Sequence, residues 1–225
     1  MSNRVLVFDV DGVLVDVTES YREGVQQTVE YFTGKRVSRE VIQEYKNAGG
    51  WNNDWRLSHH LIAGLGVDVP YEAVVDEFNR IFLGNGRDGL IFRERWTAQP
   101  GLLERLAETW RFSVFTGRVV RELEVTLDRF ARRLTFDPII TADDAPAKPS
   151  PDGLLQIARI CGAKELWYIG DTVDDARCAR AAGVPFVGIA SPFSPARDEL
   201  IELFRAERAA AILDDINSLE SVLPK

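Results

Sequence analysis

The chain has 225 residues, in which 27 Lys and Arg against 35 Asp and Glu leave a formal charge of −8 at pH 7; the pI is near 4.9. An acidic balance of this size disfavours binding to nucleic acid or to an anionic membrane, because both rely on clustered Lys and Arg. With 45% hydrophobic and 28% charged residues, the composition is that of a compact globular protein and not of a disordered one.

The first element expected is a strand at Val5-Leu6-Val7-Phe8, a continuous apolar run suited to burial on both faces of a parallel sheet. The start, Met1-Ser2-Asn3-Arg4, leads straight into this run and then into Asp9, which does not read as a signal peptide. No apolar run nears the roughly 18 residues of a membrane span. A cytoplasmic protein is expected. From Asp16 to about Trp96 no strand pattern occurs; instead Tyr21, Val25, Val29 and Phe32 form one helical stripe, and Tyr71 to Leu83 form another amphipathic helix. An all-helical insertion over residues 16–96 is therefore expected, set into a core of residues 1–15 and 97–225. Gly84-Asn85-Gly86 and Ala98-Gln99-Pro100-Gly101 are the expected turns back toward that core.

Beyond the insertion, strand-like runs recur at Phe112 to Phe115, Pro138 to Ile140, Leu166 to Ile169, Phe186 to Ile189 and Ala211 to Leu213. Helical spacing fills the intervals, over Arg118 to Arg133, Pro151 to Cys161, and Asp174 to Ala182, the last stopped by Gly183. Strands alternating with helices define an α/β fold: a doubly wound, Rossmann-like parallel sheet that binds ligands at the carboxyl ends of its strands. Cys161 and Cys178 both fall in helical stretches and read as buried free thiols. His59 and His60 are adjacent, so on a helix they point about 100° apart and cannot chelate one ion as an i, i+4 pair could. A structural or surface role is expected for both.

The polar residues gather at strand ends. Asp9-Val10-Asp11-Gly12 closes the first strand, Thr116-Gly117-Arg118 closes the next core strand, Lys148-Pro149 precedes a helix, and Gly170-Asp171-Thr172-Val173-Asp174-Asp175 follows Ile169. Two carboxylates at the end of a buried strand are costly to hold without a compensating cation or substrate. Asp174 is expected in a surface or helix-cap role, and Arg118 as an exposed residue of a first helical turn.

Taken in order, Asp9-x-Asp11-Gly12, Thr116, Lys148 and Gly170-Asp171-x-x-x-Asp175 resemble the four motifs of the haloacid dehalogenase superfamily, and the helical insertion resembles the cap of its phosphoglycolate-phosphatase-like branch. The resemblance spans nearly the whole chain. It implies that Asp9 attacks phosphorus to form an aspartyl-phosphate, and that Asp11 serves the leaving oxygen and then the hydrolytic water as acid and base. It also implies Mg²⁺, held by the Asp9 carboxylate, the Asp11 carbonyl and the Asp171 carboxylate, with Asp175 orienting a water on the ion. Thr116 and the Gly117 amide would hold phosphoryl oxygens, and Lys148 would lie between nucleophile and phosphate. Aspartate at position 11 favours phosphoester chemistry, since P-type ATPases carry threonine there and dehalogenases lack it. In related enzymes a cap loop reaches the active site; here Trp51, Asn52 and Asn53 lie in such a loop, and Arg22 could meet a second anionic group. Trp51 as a hydrophobic anchor and Asn52-Asn53 as a helix cap are the alternative readings.

The expected partner is a small phosphorylated metabolite, such as phosphoglycolate, a sugar phosphate or histidinol phosphate, with no nucleic acid or membrane and a monomer or homodimer. An intramolecular phosphomutase shares the same core residues. A phospho-acceptor receiver module would lack the helical insertion, and a non-catalytic binding module would not need the intact carboxylates and Lys148.

Overall fold

The computed structural model describes residues 3–224; Met1, Ser2 and Lys225, and with them the start that does not read as a signal peptide, lie outside the described residues. The chain folds as two compact units, one of residues up to 15 with those from 96 onward, the other of residues 16–95.

The first unit is built on six parallel strands: Arg4–Phe8 (β1), Arg111–Phe115 (β4), Phe136–Ile140 (β5), Glu165–Gly170 (β6), Phe186–Ile189 (β7) and Ala211–Leu213 (β8). Their order is β5-β4-β1-β6-β7-β8. β1 runs between β4 and β6, in register Phe8 to Val114 on one side and Phe8 to Ile169 on the other. That central position explains its sequence, because Val5, Leu6, Val7 and Phe8 are all fully buried, each contributing about 1.5–3 kcal/mol of apolar burial. The order reverses direction at β1, which leaves a crevice at the carboxyl ends of β1, β4 and β6. Two-residue strands at Val15–Asp16 (β2) and Arg95–Trp96 (β3) pair with each other where the chain crosses between the units.

Helices Leu102–Ala107 (α5), Val120–Phe130 (α6), Asp152–Cys161 (α7), Val173–Ala182 (α8) and Arg197–Ala206 (α9) complete this unit. Phe115, Leu154, Ile157, Tyr168, Phe186 and Phe204 share one apolar cluster with both cysteines, which are free and buried as expected. Burial raises Cys161 and pushes Cys178 up to about 12, so neither thiol is reactive at neutral pH. Gly153 lets α7 lie against β4: a Cβ there would sit 2.4 Å from the Phe115 ring. Gly183 ends α8 in a left-handed conformation, as its sequence position indicates.

The second unit holds four helices, Tyr21–Thr33 (α1), Arg39–Ala48 (α2), Asp54–Gly64 (α3) and Tyr71–Leu83 (α4). Tyr21, Val25 and Val29 of α1 are buried, and Tyr21 packs on Phe82 of α4 with ring centroids 4.1 Å apart. The stripe that predicts the helix is thus its buried face up to Val29, while Phe32 at the last turn is half-buried. His59, half-buried, meets the Val69 carbonyl at 3.1 Å, and His60, exposed, meets the Tyr45 hydroxyl at 3.2 Å, both within this unit. Among the described residues no helix is long and apolar enough to cross a membrane.

Candidate active site at the strand ends

Asp9 follows β1 directly, and its amide donates to the Ile169 carbonyl at 2.8 Å, continuing the β1–β6 ladder one residue beyond the strand. The side chain is buried at 5% exposure. Thr116 follows β4 in the same way, its amide bonded to the Ile140 carbonyl at 3.0 Å. Asp171 follows β6, and Asp175 lies in the first turn of α8. Parallel strands thus deliver these residues to one edge. Single oxygens of Asp9, Asp171 and Asp175 come within 4.8 Å of one another.

Lys148 is the cation among them. Its Nζ lies 2.6 Å from Asp175 Oδ1 and 3.2 Å from Asp9 Oδ1, with the lysine side chain 4% exposed. Burial by itself would lower this ammonium, but Asp175 and Asp9 outweigh it and hold Lys148 above its usual value. Burial would likewise raise Asp175, and Lys148, with hydrogen bonds from Lys148, Thr172 and Tyr168, holds it below the ordinary carboxylate range. Asp9 is different: burial pushes it up to about 7, with Lys148 pulling down and Asp175 and Asp11 adding to the rise.

Asp175 is fixed from every side. Its Oδ2 accepts from the Thr172 amide at 2.9 Å and hydroxyl at 2.6 Å, completing a capping box at the start of α8. Its Oδ1 accepts from the Tyr168 hydroxyl at 2.7 Å, and Lys148 donates to that same hydroxyl at 3.0 Å. Burial and Asp175 together raise Tyr168 well above the ordinary phenol range, so it stays a neutral donor. Sequence reasoning misses Tyr168 as a site residue because it reads as one more apolar position of β6; the only available signal is a hydroxyl inside a buried strand.

Two sequence expectations are corrected here. Asp174 is not on the surface: it is 1% exposed, with Arg177 Nη1 at 3.7 Å, because Val173 to Ala176 are all enclosed where α8 begins. Nor does it cap the helix, a position taken by Thr172. Arg118 is not exposed either, being 1% accessible. It precedes α6, and its amide donates to Thr116 Oγ1 at 3.2 Å while its carbonyl accepts from Ala142. The loop therefore turns the guanidinium inward, onto Asp11.

The described residues fit a hard divalent cation. Asp9 Oδ1 is buried and receives no aligned hydrogen bond despite the nearby ammonium, and the candidate donors are all oxygens, the set that Mg²⁺ takes. The cations set against Asp9, Asp11 and Asp175 are Lys148 and Arg118. Gly12 makes the approach of Asp171 feasible. Its φ is +71°, and a Cβ would lie 1.9 Å from Asp171 Oδ2. Gly12→Ala is expected to displace the Asp171 carboxylate and lower Mg²⁺ affinity at least about tenfold in a folded protein, measured by calorimetric titration; unchanged affinity would show that Asp171 does not need that space.

Gly117 is exposed, with nothing within 4 Å of a Cβ position. The remaining predicted residues lie in the helical unit. Arg22 Nη2 donates to Gln43 Oε1 at 3.3 Å. Trp51 packs edge-on to Tyr45 and tilted on His60, with centroids 5.3 and 4.5 Å apart. Asn53 caps α3, accepting from the Arg56 amide at 2.9 Å. The Asn52 carbonyl lies 3.4 Å from Lys46 Nζ, while its buried Nδ2 has no hydrogen-bond partner.

A family model for haloacid dehalogenase-like hydrolases matches residues 4–183. The chain belongs to that family of hydrolases. A Phytophthora nicotianae protein named imidazoleglycerol-phosphate dehydratase is 32% identical over 206 residues, which cover 88% of this chain but 45% of that one, so the chain spans less than half of that relative. A phosphoglycolate phosphatase of Pseudomonas fluorescens is 25% identical over 224 residues, 96% of this chain and 78% of that one. Among solved structures, phosphatase Tt82 of Thermococcus thioreducens aligns with a TM-score of 0.67 at 27% identity, over 90% of this chain and 98% of that one. A haloacid dehalogenase-like protein of unknown function from Agrobacterium tumefaciens shares the fold at TM-score 0.72 and 19% identity, over 97% and 96% of the two chains.

Proposed function

We propose that the protein is a Mg²⁺-dependent phosphomonoesterase acting on a small phosphorylated metabolite through an aspartyl-phosphate on Asp9. The observation that carries this reading is the buried Asp9 carboxylate, whose Oδ1 lacks an aligned hydrogen bond and lies 3.2 Å from Lys148 Nζ, in a chain of this hydrolase family. As Asp9 bonds to phosphorus, the ester P–O bond breaks and the leaving oxygen takes a proton from Asp11. A water oxygen then bonds to phosphorus, the Asp9–phosphorus bond breaks, and the water's proton passes to Asp11. Thr116 Oγ1 and the Gly117 amide hold the phosphoryl oxygens, and Lys148 offsets charge between nucleophile and phosphate. Asp9, the Asp11 carbonyl and Asp171 would hold Mg²⁺, with Asp175 behind them. When bound, the ion supplies the positive charge that lets a carboxylate approach a phosphate dianion.

The helical unit serves in this reading as a cap that selects the leaving group. Because Asn53 is engaged in capping α3, Asn52 and Arg22 are the stronger candidates for substrate contact, and Trp51 for stacking. Phosphoglycolate is the first substrate to test, from the Pseudomonas relative's name. Histidinol phosphate is the second, since the Phytophthora relative is named for an imidazole-bearing phosphate ester. A panel of phosphorylated metabolites assayed with Mg²⁺ and with EDTA tests the proposal: inorganic phosphate release that needs Mg²⁺ is expected. Turnover unaffected by chelation would overturn it, and isomerised sugar phosphate without phosphate release would make the protein a mutase.

A further inference from the structure

We propose that Arg118 is the positioning residue for Asp11, gripping one carboxylate oxygen so that the other is presented to the leaving group and to the hydrolytic water. This rests on the phosphatase reading above. Arg118 Nε and Nη2 both donate to Asp11 Oδ1, at 2.8 and 2.5 Å. Its Nη1 donates to Thr126 Oγ1 at 2.6 Å, on a face of α6 where Thr126 is fully buried. The guanidinium is thus fastened at its back to a helix of the core and at its front to Asp11.

The pairing is one-sided. Both bonds end on Oδ1; among the described residues no hydrogen bond reaches Oδ2, and the Asp11 side chain is 30% exposed while that of Arg118 is 0% exposed. A carboxylate in a loop has free χ1 and χ2 rotations unless something holds it. Proton transfer needs the donor oxygen within hydrogen-bond reach of the reacting atom, so a wandering Asp11 would act only in a fraction of encounters. Anchoring Oδ1 removes that freedom without blocking Oδ2.

Stability does not account for the arrangement. Arg118 heads the largest side chains that the protein buries completely, and a buried guanidinium is costly to desolvate, so a well-packed apolar residue would serve the core as well or better. Lysine would serve only in part, because a single ammonium lacks the planar fork that spans Asp11 and Thr126 together. A buried cation with two of its N–H groups on the acid/base residue has its explanation in what that residue must do.

Proton delivery matters most for a poor leaving group. An alkyl phosphate needs a proton on its departing oxygen; p-nitrophenyl phosphate expels a stabilised phenolate without one. The specificity constant kcat/KM reports the steps through formation of the phosphoenzyme, so it isolates this requirement. Arg118→Met is expected to lower kcat/KM for the best alkyl substrate of the panel by about 10²–10³-fold, but that for p-nitrophenyl phosphate by less than about tenfold. Arg118→Lys should recover part of the alkyl activity. Combined with Asp11→Asn, Arg118→Met should add almost nothing to the loss, because both changes remove the same function. Should Arg118→Met fail to fold, Arg118→Lys and Thr126→Val carry the same comparison, with smaller losses still concentrated on the alkyl ester.

Equal losses for the two esters, or full additivity with Asp11→Asn, would overturn the positioning role while leaving the phosphatase reading intact. If the wild type hydrolyses neither ester with Mg²⁺, that reading falls and this inference with it.

Discussion

Asp9→Asn is expected to reduce kcat/KM for every phosphomonoester that the wild type hydrolyses by more than about a thousandfold, while leaving the metal-free protein at least as stable as the wild type above pH 7. The amide preserves the shape of the carboxylate but cannot form an acyl phosphate. The stability effect follows from burial, which carries Asp9 from 3.8 to about 7. A group raised in the folded state contributes stability below its unfolded value, and that contribution is lost as pH rises through the folded value. In EDTA, the wild type should therefore lose stability relative to Asp9→Asn between about pH 4 and pH 7, as melting at pH 5 and pH 8 would show. A wild type that gains on the variant over that range would contradict the assignment of Asp9 as a buried charge held against its own desolvation.

Lys148→Met is the second large effect. The methionine fills a similar volume but leaves Asp175 and Asp9 buried without the ammonium now 2.6 and 3.2 Å from them. Removing one partner of a buried ion pair costs about 3–5 kcal/mol, and losing the charge beside the transferred phosphoryl should lower kcat by about 10²–10³-fold. Adding Asp9→Asn to Lys148→Met should restore part of the stability by removing one of the stranded charges. Urea unfolding of the two variants measures this; a destabilisation below about 1 kcal/mol, or no recovery in the double variant, would show that Lys148 is not the counter-charge of the site.

The protein's −8 charge sharpens the same point. In the proposed reading a small phosphate ester would be bound in an acidic molecule, so the sign of the potential would have to be reversed locally by Lys148, by backbone amides such as that of Gly117, and by the proposed cation.

Much of the fold is legible in the amino-acid sequence, and the exceptions have physical causes. Val5 to Phe8 and Tyr71 to Leu83 are readable because an unbroken buried run and a 3.6-residue stripe are each signatures of one environment; the second is α4 with the same bounds. β2 and β3 are invisible because two residues carry no period, and α5 because six residues make less than two turns. The helix expected over Arg118 to Arg133 is shorter, Val120–Phe130, since Arg118 turns inward before it and Ala131 leaves helical geometry after it. Asp9, Asp11, Thr116, Lys148, Asp171 and Asp175 can be picked out because short motifs mark the strand ends. Arg118 cannot, because its partner Asp11 is 107 residues away and only strand order brings the two together. Tyr168 escapes for a related reason: its role depends on Lys148, 20 residues earlier, and Asp175, seven residues later, being folded onto its hydroxyl.

The central claim is a covalent phosphoenzyme on Asp9, and chemical trapping tests it most directly. Protein turning over substrate with Mg²⁺ is quenched and reduced with borohydride, which converts an aspartyl-phosphate to homoserine, and the peptides are then sequenced by mass spectrometry. Homoserine at position 9, absent without substrate and absent in Asp9→Asn, is the predicted result. Reduction at another carboxylate, or none at any residue under conditions where the leaving alcohol or phenol is released in a burst ahead of phosphate, would contradict it.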